Sequence, residues 1–226
     1  MIQYFGINQK GRDFFCGDIH GSFGLLGIEL AKVFFDERYD RVFATGDLVD
    51  RGPNSIEALE YLEKPWFHSV RGNHDHCAVR YPQGNMLMDN YSANGGQWMI
   101  DLPIEDQLRV SASLDKLPYM IEVLTTYGKI GVAHAEIPKD DWELCKQDLG
   151  NKYVRATLMW SRNNLKVLEH TDFYPKIQNI DIAVVGHTPF LVPTLISNVF
   201  HIDTGCGKTG YLSLIESRDL FSRLGL

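Results

Sequence analysis

The sequence predicts a mixed α/β fold, and three observations support this fold class. Short apolar runs rich in Phe, Val and Ile recur along the 226 residues at lengths typical of strands. Helix-like segments alternate with the early runs, whereas the last part of the chain carries consecutive strands. The residues are 44% hydrophobic and 23% charged, as in globular proteins with a substantial core. With no internal repeat or low-complexity linker, we expect a single compact domain over residues 1–226.

Nine apolar runs set the predicted strands. Each is short and is followed by polar or glycine-containing sequence, as strand ends usually are. The predicted strands are Asp13–Cys16, Arg41–Thr45, Trp66–Val70, Met120–Thr125, Lys129–Ala133, Ile182–Val185, Leu191–Ile196, Val199–Ile202 and Tyr211–Glu216.

Helices are predicted from apolar periodicity and from start signals. The segment Ser22–Asp36 places four apolar residues on one helical face: Leu25, Leu26, Leu30 and Val33. Pro53 stands where the first turn of a helix tolerates proline. Further helices are predicted at Ile104–Lys116 and Tyr153–Trp160.

Charge and composition exclude several classes of protein. The net charge of −7 repels phosphate backbones, so we expect no nucleic-acid partner. No apolar run approaches the ~20 residues of a membrane helix, and Met1–Lys10 lacks the features of a signal peptide. We therefore expect a cytoplasmic protein without a membrane partner. Its four cysteines, at positions 16, 77, 145 and 206, form no C-x-x-C pair and are predicted to be reduced thiols.

Polar residues of the kind that bind ligands follow five of the predicted strands. In an open α/β arrangement, strand ends line one edge of the sheet, where ligands collect. Glycine accompanies most of these residues and permits sharp turns and a close approach of the backbone. The five segments are Cys16-Gly17-Asp18-Ile19-His20-Gly21, Gly46-Asp47-Leu48-Val49-Asp50-Arg51-Gly52, Arg71-Gly72-Asn73-His74-Asp75, Ala133-His134-Ala135 and Gly186-His187-Thr188.

The donor atoms in these segments are typical of a divalent metal site. They comprise two carboxylates, three imidazoles and one amide oxygen: Asp18, Asp47, His20, His134, His187 and Asn73. Oxygen and nitrogen donors without thiolate suit manganese, iron or zinc. Six donors exceed the needs of one catalytic zinc, which keeps an open position. They fit two metals about 3.5–4 Å apart that share Asp47 as a bridge.

The same motifs resemble those of the calcineurin-like metallophosphoesterases, in the phosphoprotein phosphatase branch. The resemblance extends along nearly the whole chain to the bacteriophage lambda-type serine/threonine protein phosphatases. It is carried by Asp18-x-His20, Gly46-Asp47-x-x-Asp50-Arg51-Gly52, Gly72-Asn73-His74, Asn94-Gly95-Gly96-x-Trp98, Trp160-x-Arg162, Gly186-His187-Thr188-Pro189 and Ile202-Asp203-Thr204-Gly205. It implies a four-layer sandwich in which two mixed β-sheets are flanked by helices.

The resemblance also implies a role for each residue of the site. Asp18, His20 and Asp47 would surround one metal, and Asp47, Asn73, His134 and His187 the other. His74 would be the general acid, oriented by Asp50. Arg51, Arg71 and Arg162 would hold the phosphate oxygens. Manganese is favoured as the metal over iron and zinc, because family members commonly use it.

Three functions are weighed from the sequence. The favoured one is a phosphomonoesterase acting by direct attack of metal-activated hydroxide on phosphoserine and phosphothreonine in proteins, with phosphotyrosine as a further candidate. The second is a dinucleoside polyphosphate hydrolase, since Asp75 replaces the glutamate usual in lambda-type phosphatases and aspartate is common in diadenosine tetraphosphate hydrolases. The third is a metal-binding adaptor without turnover, which the complete set of catalytic residues disfavours. No obligate protein partner is evident, and the segment Tyr81–Trp98 is a candidate for substrate choice.

Overall fold

The computed structural model describes residues 1–225 as two β-sheets that pack face to face between two layers of helices. The strands are β1 (Ile2–Phe5), β2 (Asp13–Cys16), β3 (Arg41–Ala44), β4 (Phe67–Ser69), β5 (Met120–Leu124), β6 (Lys129–Val132), β7 (Ile182–Val185), β8 (Thr194–Ile196), β9 (Val199–His201) and β10 (Leu214–Glu216). One sheet has the order β1-β5-β6-β7-β9-β8, and the other has the order β10-β2-β3-β4.

Both sheets mix parallel and antiparallel pairs. In the smaller sheet β2, β3 and β4 run parallel, and β10 runs antiparallel to β2. In the larger sheet β6, β7 and β9 run parallel, with β5 and β8 antiparallel to their neighbours β6 and β9. Parallel strands end at a common edge, so the segments after β2, β3 and β4 meet at one end of their sheet.

Helices flank the two sheets, most of them on the outer faces. They are α1 (Phe23–Lys32), α2 (Ala58–Leu62), α3 (Asn73–Arg80), α4 (Met88–Tyr91), α5 (Gln97–Ile100), α6 (Ile104–Leu114), α7 (Trp142–Gln147), α8 (Lys152–Trp160), α9 (Asn163–Thr171), α10 (Cys206–Thr209) and α11 (Ser217–Leu224). A π-helical turn, Ser92–Gly96, joins α4 to α5. None of the helices within residues 1–225 combines the length and apolar character needed to cross a bilayer.

The alternation of side chains along each strand builds the layers. In β2, Phe14 packs with the helices outside the smaller sheet, whereas the next residue, Phe15, packs between the sheets. Phe43 and Phe200 bring the two sheets together in that inner layer. Outside the larger sheet, Trp142 and its neighbours on α7 and α8 form a third apolar cluster. Because both faces of each sheet are covered, the central strands are apolar throughout.

The four-layer sandwich confirms the fold class predicted from the sequence. All nine predicted strands are present, with ends that differ by up to three residues; β8 and β10 begin later than predicted, at Thr194 and Leu214. Strand β1 was not predicted. The helix predicted over Ser22–Asp36 ends at Lys32, and the one signalled by Pro53 begins as a 3-10 turn at Ser55. Helices α3, α7, α9 and α11 were not predicted either.

Candidate metal centre

The ends of the central strands bring all six predicted ligand residues to one edge of the sandwich. Asp18 and His20 follow β2, Asp47 follows β3, His134 follows β6 and His187 follows β7, while Asn73 is the first residue of α3 after β4. Every one of these side chains is buried. The predicted strand-end cluster is therefore a single buried cluster in the folded chain.

Asp47 lies at the middle of the cluster and belongs to two groups of potential ligands. Its Oδ2 is 3.7 Å from His20 Nε2, and its Oδ1 is 3.4 Å from His134 Nε2. His20, Asp47 and His74 offer ligand atoms within 4.8 Å of one another, as do Asp47, His134 and His187. Asn73 Oδ1 is 2.9 Å from His134 Nε2, which adds the amide oxygen to the second group.

Asp18 is held by Thr45 and by the backbone of His187. Its Oδ1 accepts a hydrogen bond from the Thr45 hydroxyl (2.8 Å) and is 3.9 Å from His134 Nδ1. Its Oδ2 accepts one from the backbone N–H of His187 (3.0 Å). Burial and the neighbouring carboxylates of Asp203 and Asp47 raise the pKa of Asp18 well above its usual range. A divalent cation would relieve this repulsion between buried carboxylates.

Three imidazoles of the cluster are oriented by backbone carbonyls. His20 and His134 donate from Nδ1 to the carbonyls of Val49 (3.0 Å) and Thr45 (2.8 Å). His187 uses Nε2 in the same way, towards the carbonyl of Trp160 (3.2 Å). The opposite ring nitrogen of each histidine therefore carries a lone pair, which is the usual arrangement of histidine ligands.

Burial keeps these imidazoles neutral, as metal binding requires. It lowers the pKa of His20 to about 4 and that of His187 to about 3. Neutral imidazoles, buried carboxylates and one amide oxygen make a donor set without thiolate, which fits divalent metal ions.

The backbone adopts unusual conformations around the cluster. His20, Asp47 and His187 have positive φ angles of 47°, 50° and 68°, a region that residues other than glycine rarely occupy. Such conformations concentrate at functional sites, where the surrounding structure compensates for their cost. Two glycines make room for the carboxylates: a Cβ on Gly72 would lie 2.1 Å from Asp47 Oδ1, and one on Gly186 would lie 2.0 Å from Asp18 Oδ1.

His74 and Asp50 form a buried pair at the edge of the first group. His74 Nδ1 is 2.8 Å from Asp50 Oδ2. Burial lowers the pKa of His74, but the carboxylates of Asp47 and Asp50 outweigh it, so that the pKa is raised overall. The other oxygen of Asp50 accepts hydrogen bonds from Tyr91 Oη (3.0 Å) and Trp98 Nε1 (2.8 Å).

Tyr91 and Trp98 were not predicted to orient Asp50. They lie 41 and 48 residues further along the chain, so that no local spacing links them to it. The Asn94-Gly95-Gly96-x-Trp98 motif was the signal that drew attention to this segment. Gly95, with a φ of 98°, brings the turn between α4 and α5 against Arg51, whose backbone N–H donates to the Gly95 carbonyl (3.3 Å).

Asp75 connects the segments that follow β3 and β4. Its carboxylate accepts hydrogen bonds from the backbone N–H groups of Asp47 (2.9 Å), Leu48 (2.9 Å) and Gly72 (2.8 Å). It thus holds the Asp47 backbone next to the start of α3. The Asp75 carboxylate therefore stabilises the backbone around the cluster, whereas neighbouring residues line the cluster itself.

The three predicted phosphate-binding arginines have different surroundings. Arg51 is exposed, with Nη1 3.1 Å from His20 Nε2. Arg162 is exposed as well, and its guanidinium donates to Thr188 Oγ1 and to the carbonyl of His187, both at 3.1 Å. Arg51 therefore lies beside the first group of ligands, and Arg162 lies beside the second.

Arg71, in contrast, forms no hydrogen bond or ion pair with the ligand residues within residues 1–225. Arg71 is only 5% exposed and forms a 3.0 Å ion pair with Asp115. It also donates to the Asp115 carbonyl and to Tyr119 Oη. Its side chain therefore joins the segment after β4 to the segment between α6 and β5.

A model of the calcineurin-like phosphoesterase family matches residues 14–190, which include all six ligand-type residues of the cluster. The chain belongs to the calcineurin-like phosphoesterase family.

Relatives within this family cover nearly the whole chain. Serine/threonine-protein phosphatase 2 of Salmonella typhimurium is 32% identical over 224 residues, which span 96% of this chain and 98% of that protein. An asymmetrical bis(5'-nucleosyl)-tetraphosphatase of Halalkalibacterium halodurans is 26% identical over 215 residues, 88% of this phosphoesterase and 87% of that enzyme. The crystal structure of a protein provisionally identified as a diadenosine tetraphosphatase has the same fold, with a TM-score of 0.68 at 21% identity over 96% of this chain and 94% of that chain.

Proposed function

We propose that this phosphoesterase is a metal-dependent phosphomonoesterase that hydrolyses phosphoserine and phosphothreonine in proteins. The observation that carries the proposal is the end-to-end match to a serine/threonine-protein phosphatase, which covers 98% of that relative. The cytoplasmic location and phosphotyrosine as an additional substrate stay predictions from the sequence.

In this proposal the buried cluster holds two divalent cations, with manganese favoured over iron and zinc. Asp18, His20 and Asp47 hold one, and Asp47, Asn73, His134 and His187 hold the other. When bound, the cations offset the charge of the phosphate and activate a water molecule as the nucleophile. The position of Asp47 in both groups of ligand atoms supports its assignment as the shared ligand.

Arg51 and Arg162 bind the phosphate oxygens. Both are exposed beside ligand-type histidines, His20 and His187, and neither forms an ion pair with a carboxylate within residues 1–225. A guanidinium binds two oxygens at once, which suits a phosphate group better than an ammonium does. These arginines make a locally positive entrance in a protein of net charge −7.

His74 protonates the leaving oxygen. Because Asp50 accepts the Nδ1 proton, the proton available for transfer is on Nε2. Tyr91 and Trp98 hold the free oxygen of Asp50, so that the carboxylate stays aligned with the imidazole. The raised pKa of His74 favours the protonated form that a general acid needs.

The second candidate is a dinucleoside polyphosphate hydrolase. It is favoured by the 26% identical bis(5'-nucleosyl)-tetraphosphatase and by Asp75 at the position after the catalytic histidine. Both functions use hydrolysis at phosphorus. They differ in the part of the substrate next to the phosphate, which is a polypeptide for the first function and a nucleoside for the second.

A parallel turnover assay tests the two functions. Manganese-reconstituted protein is given a phosphoserine peptide or diadenosine tetraphosphate at matched concentration. We expect a higher kcat/KM for the peptide. A higher value for the tetraphosphate would transfer the assignment to the nucleotide hydrolase. No turnover of either substrate with metal bound would favour a metal-binding adaptor.

A further inference from the structure

A groove of about 360 Å³ lies between the end of α8 and the start of α9. We call it the α8–α9 groove; it is lined chiefly by Tyr153, Thr157, Trp160, Arg162, Asn163 and Lys166. We propose that it binds the polypeptide next to the phosphorylated residue of the substrate and selects acidic sequence there. This inference rests on the proposed protein phosphatase function and names the substrate class more closely.

Residues that line the α8–α9 groove contact His187 of the candidate metal centre. The carbonyl of Trp160, in its wall, accepts the hydrogen bond from His187 Nε2 (3.2 Å). Arg162, which also lines the groove, donates to the carbonyl of His187 and to Thr188 (3.1 Å each). A substrate phosphate that reaches Arg162 thus leaves the adjoining residues of its chain at the mouth of the groove.

The charge of the groove suits an acidic segment. Arg162 and Lys166 are exposed cations that form no ion pair within the described residues, and no carboxylate lines the groove. The chain as a whole carries a net charge of −7, so this is a basic feature on an acidic protein. Such local charge steers an acidic partner and disfavours a basic one.

Two aromatic side chains offer contact area beside the cations. Tyr153 is 71% exposed and Trp160 is 45% exposed, although both are large and partly apolar. Aromatic and arginine side chains are the types that dominate binding at peptide-recognition surfaces. The two rings can pack on the side chains or backbone of an extended peptide, while Arg162 and Lys166 attract its acidic side chains.

The groove is held in place by a buried carboxylate. Glu136 follows His134 by two residues and accepts hydrogen bonds from Ser161 Oγ (2.5 Å) and from the backbone N–H groups of Asn163 (3.0 Å) and Asn164 (2.6 Å). The turn that carries Arg162 is thereby tied to the segment that carries His134. A preformed groove binds with a lower entropic cost than a mobile one.

The test uses the ratio of two substrates measured on the same protein, so that any general loss of activity cancels. The substrates are phosphoserine peptides of equal length whose residues beside the phosphoserine are either aspartate or lysine. We expect the wild-type protein to favour the acidic peptide in kcat/KM. Lys166→Glu should lower the acidic-to-basic ratio by about two- to fivefold, the size of effect that one exposed charge pair exerts. Raising the salt to ~0.5 M should shrink this change.

Lys10→Glu is the matched control, since it makes the same change of charge at an exposed lysine without an ion pair among the described residues. Lys10 follows β1, and that end of the sandwich is opposite the candidate metal centre, because β1 runs antiparallel to β6. This variant should leave the peptide ratio and the hydrolysis of p-nitrophenyl phosphate at their wild-type values. Equal effects of the two variants on the ratio would show an effect of net charge alone and would overturn the proposal.

A second variant, Tyr153→Ser, tests the aromatic wall. It should raise KM for the acidic peptide without changing the acidic-to-basic ratio, because it removes contact area and no charge. If Tyr153→Ser and Lys166→Glu instead alter KM for diadenosine tetraphosphate and leave both peptides unaffected, the groove binds a nucleoside and the peptide assignment is wrong. If wild-type protein hydrolyses p-nitrophenyl phosphate but shows no peptide preference, the groove proposal fails while the phosphatase function stands. Absence of p-nitrophenyl phosphate hydrolysis would contradict the proposed function itself.

Discussion

The contact between His74 and Asp50 separates two proposed roles at this site: Asp50 orients the imidazole, and His74 donates the proton. Asp50 has one oxygen for His74 and the other for Tyr91 and Trp98, so that a single carboxylate is held by three partners. A carboxylate fixed in this way keeps the imidazole in one orientation and one tautomer. The catalytic proton of His74 is then on the nitrogen that Asp50 does not contact.

Replacing His74 by asparagine should remove the proton donor and retain a polar side chain of similar reach. We expect kcat for an alkyl phosphate to fall by ~10²–10⁴-fold, the usual contribution of a general acid. The loss should be smaller for p-nitrophenyl phosphate, whose leaving group needs little protonation. The measurement is kcat on both substrates, with metal content checked on each protein. Equal losses on the two substrates would contradict the assignment of His74 as the acid.

The arginines allow a direct comparison of a binding role with a structural one. Arg162→Ala should raise KM for phosphomonoesters by about tenfold or more, because a charge-assisted contact to phosphate is lost. Arg71→Ala should instead lower the free energy of unfolding by about 1–2 kcal/mol, since it removes the hydrogen bonds that the buried guanidinium donates to the Asp115 carbonyl and to Tyr119 Oη. Urea unfolding and steady-state kinetics on both variants separate the two effects. A large rise in KM for Arg71→Ala with unchanged stability would instead support its predicted role in phosphate binding.

At the scale of elements, the start of α9 depends on a residue from another part of the chain. Its first backbone N–H groups donate to the carboxylate of Glu136, which lies after β6 and 27 residues before Asn163. A carboxylate at a helix N-terminus satisfies free N–H groups and complements the helix dipole. Arg162 immediately precedes this helix, so its position depends on the same contact.

Glu136→Gln should loosen the start of α9 and the position of Arg162. The amide can accept through one oxygen only, so at least one N–H group loses its partner. We expect KM for a phosphopeptide to rise by about three- to tenfold with a smaller change in kcat, and the free energy of unfolding to fall by about 1–2 kcal/mol. Glu136→Asp, which keeps the charge, should recover part of the loss in KM. An unchanged KM in the presence of reduced stability would make Glu136 a structural residue alone.

The elements also show which parts of the molecule the sequence could predict. Strands β2, β3 and β7 are apolar on both faces and end in ligand-type residues, so that their existence and the edge they share could be predicted. Helix α3 was missed because the face it buries is polar and includes Asn73, His74 and Asp75. An apolar periodicity cannot reveal a helix whose buried side chains serve the site.

Other elements were not predicted because they bury few or no side chains and so show no apolar periodicity. Helix α9 has no buried residue, and strand β1 is half-exposed at the edge of its sheet. The contacts of Glu136 with Asn163 and Asn164 are long-range, as are those of Tyr91 and Trp98 with Asp50. Long-range hydrogen bonds of this kind follow from the folded arrangement and leave no local pattern in the sequence.

At the scale of the whole molecule, the buried carboxylates couple metal binding to stability. Asp18, Asp47 and Asp203 are buried close together, and repulsion contributes to the raised pKa of Asp18 and to that of Asp203, raised chiefly by burial to about 6. Cations bound between them stabilise the folded chain by mass action, with about 2.7 kcal/mol at a hundred times the dissociation constant.

Removal of divalent metal should therefore lower Tm. For a chain of 226 residues the expected decrease is about 5–10 °C, and it should be reversed by adding Mn²⁺. Differential scanning calorimetry with chelator and then with excess Mn²⁺ measures it without an activity assay. Asp47→Asn is the comparison, because it removes the shared ligand and should abolish most of the Mn²⁺-dependent increase. An increase in Asp47→Asn equal to that of the wild type would show that the metal stabilises the protein from elsewhere.

The stability of the whole molecule in acid should depend on a histidine outside the site. His201, in β9, is 2% exposed, and neither of its ring nitrogens has a hydrogen-bond partner in residues 1–225. Burial lowers its pKa to about 4 from the usual value near 6.5. Between these two values the unfolded chain binds a proton that the folded chain does not, so that stability falls as the pH decreases from about 6.5. His201→Phe, which can pack against the neighbouring rings of Tyr174 and Phe190, removes this term.

We therefore expect the wild-type protein to lose about 1–2 kcal/mol more than His201→Phe between pH 7 and pH 5. The quantity to measure is the free energy of unfolding by urea at both pH values, with metal removed so that proton competition at the ligands is absent. His170→Phe is the control, since His170 is exposed on α9 and its imidazole remains in water in both states. That variant should lose as much stability as the wild type. If His201→Phe also loses as much, the imidazole of His201 becomes protonated without unfolding the chain, and its burial does not limit the stability of the protein in acid.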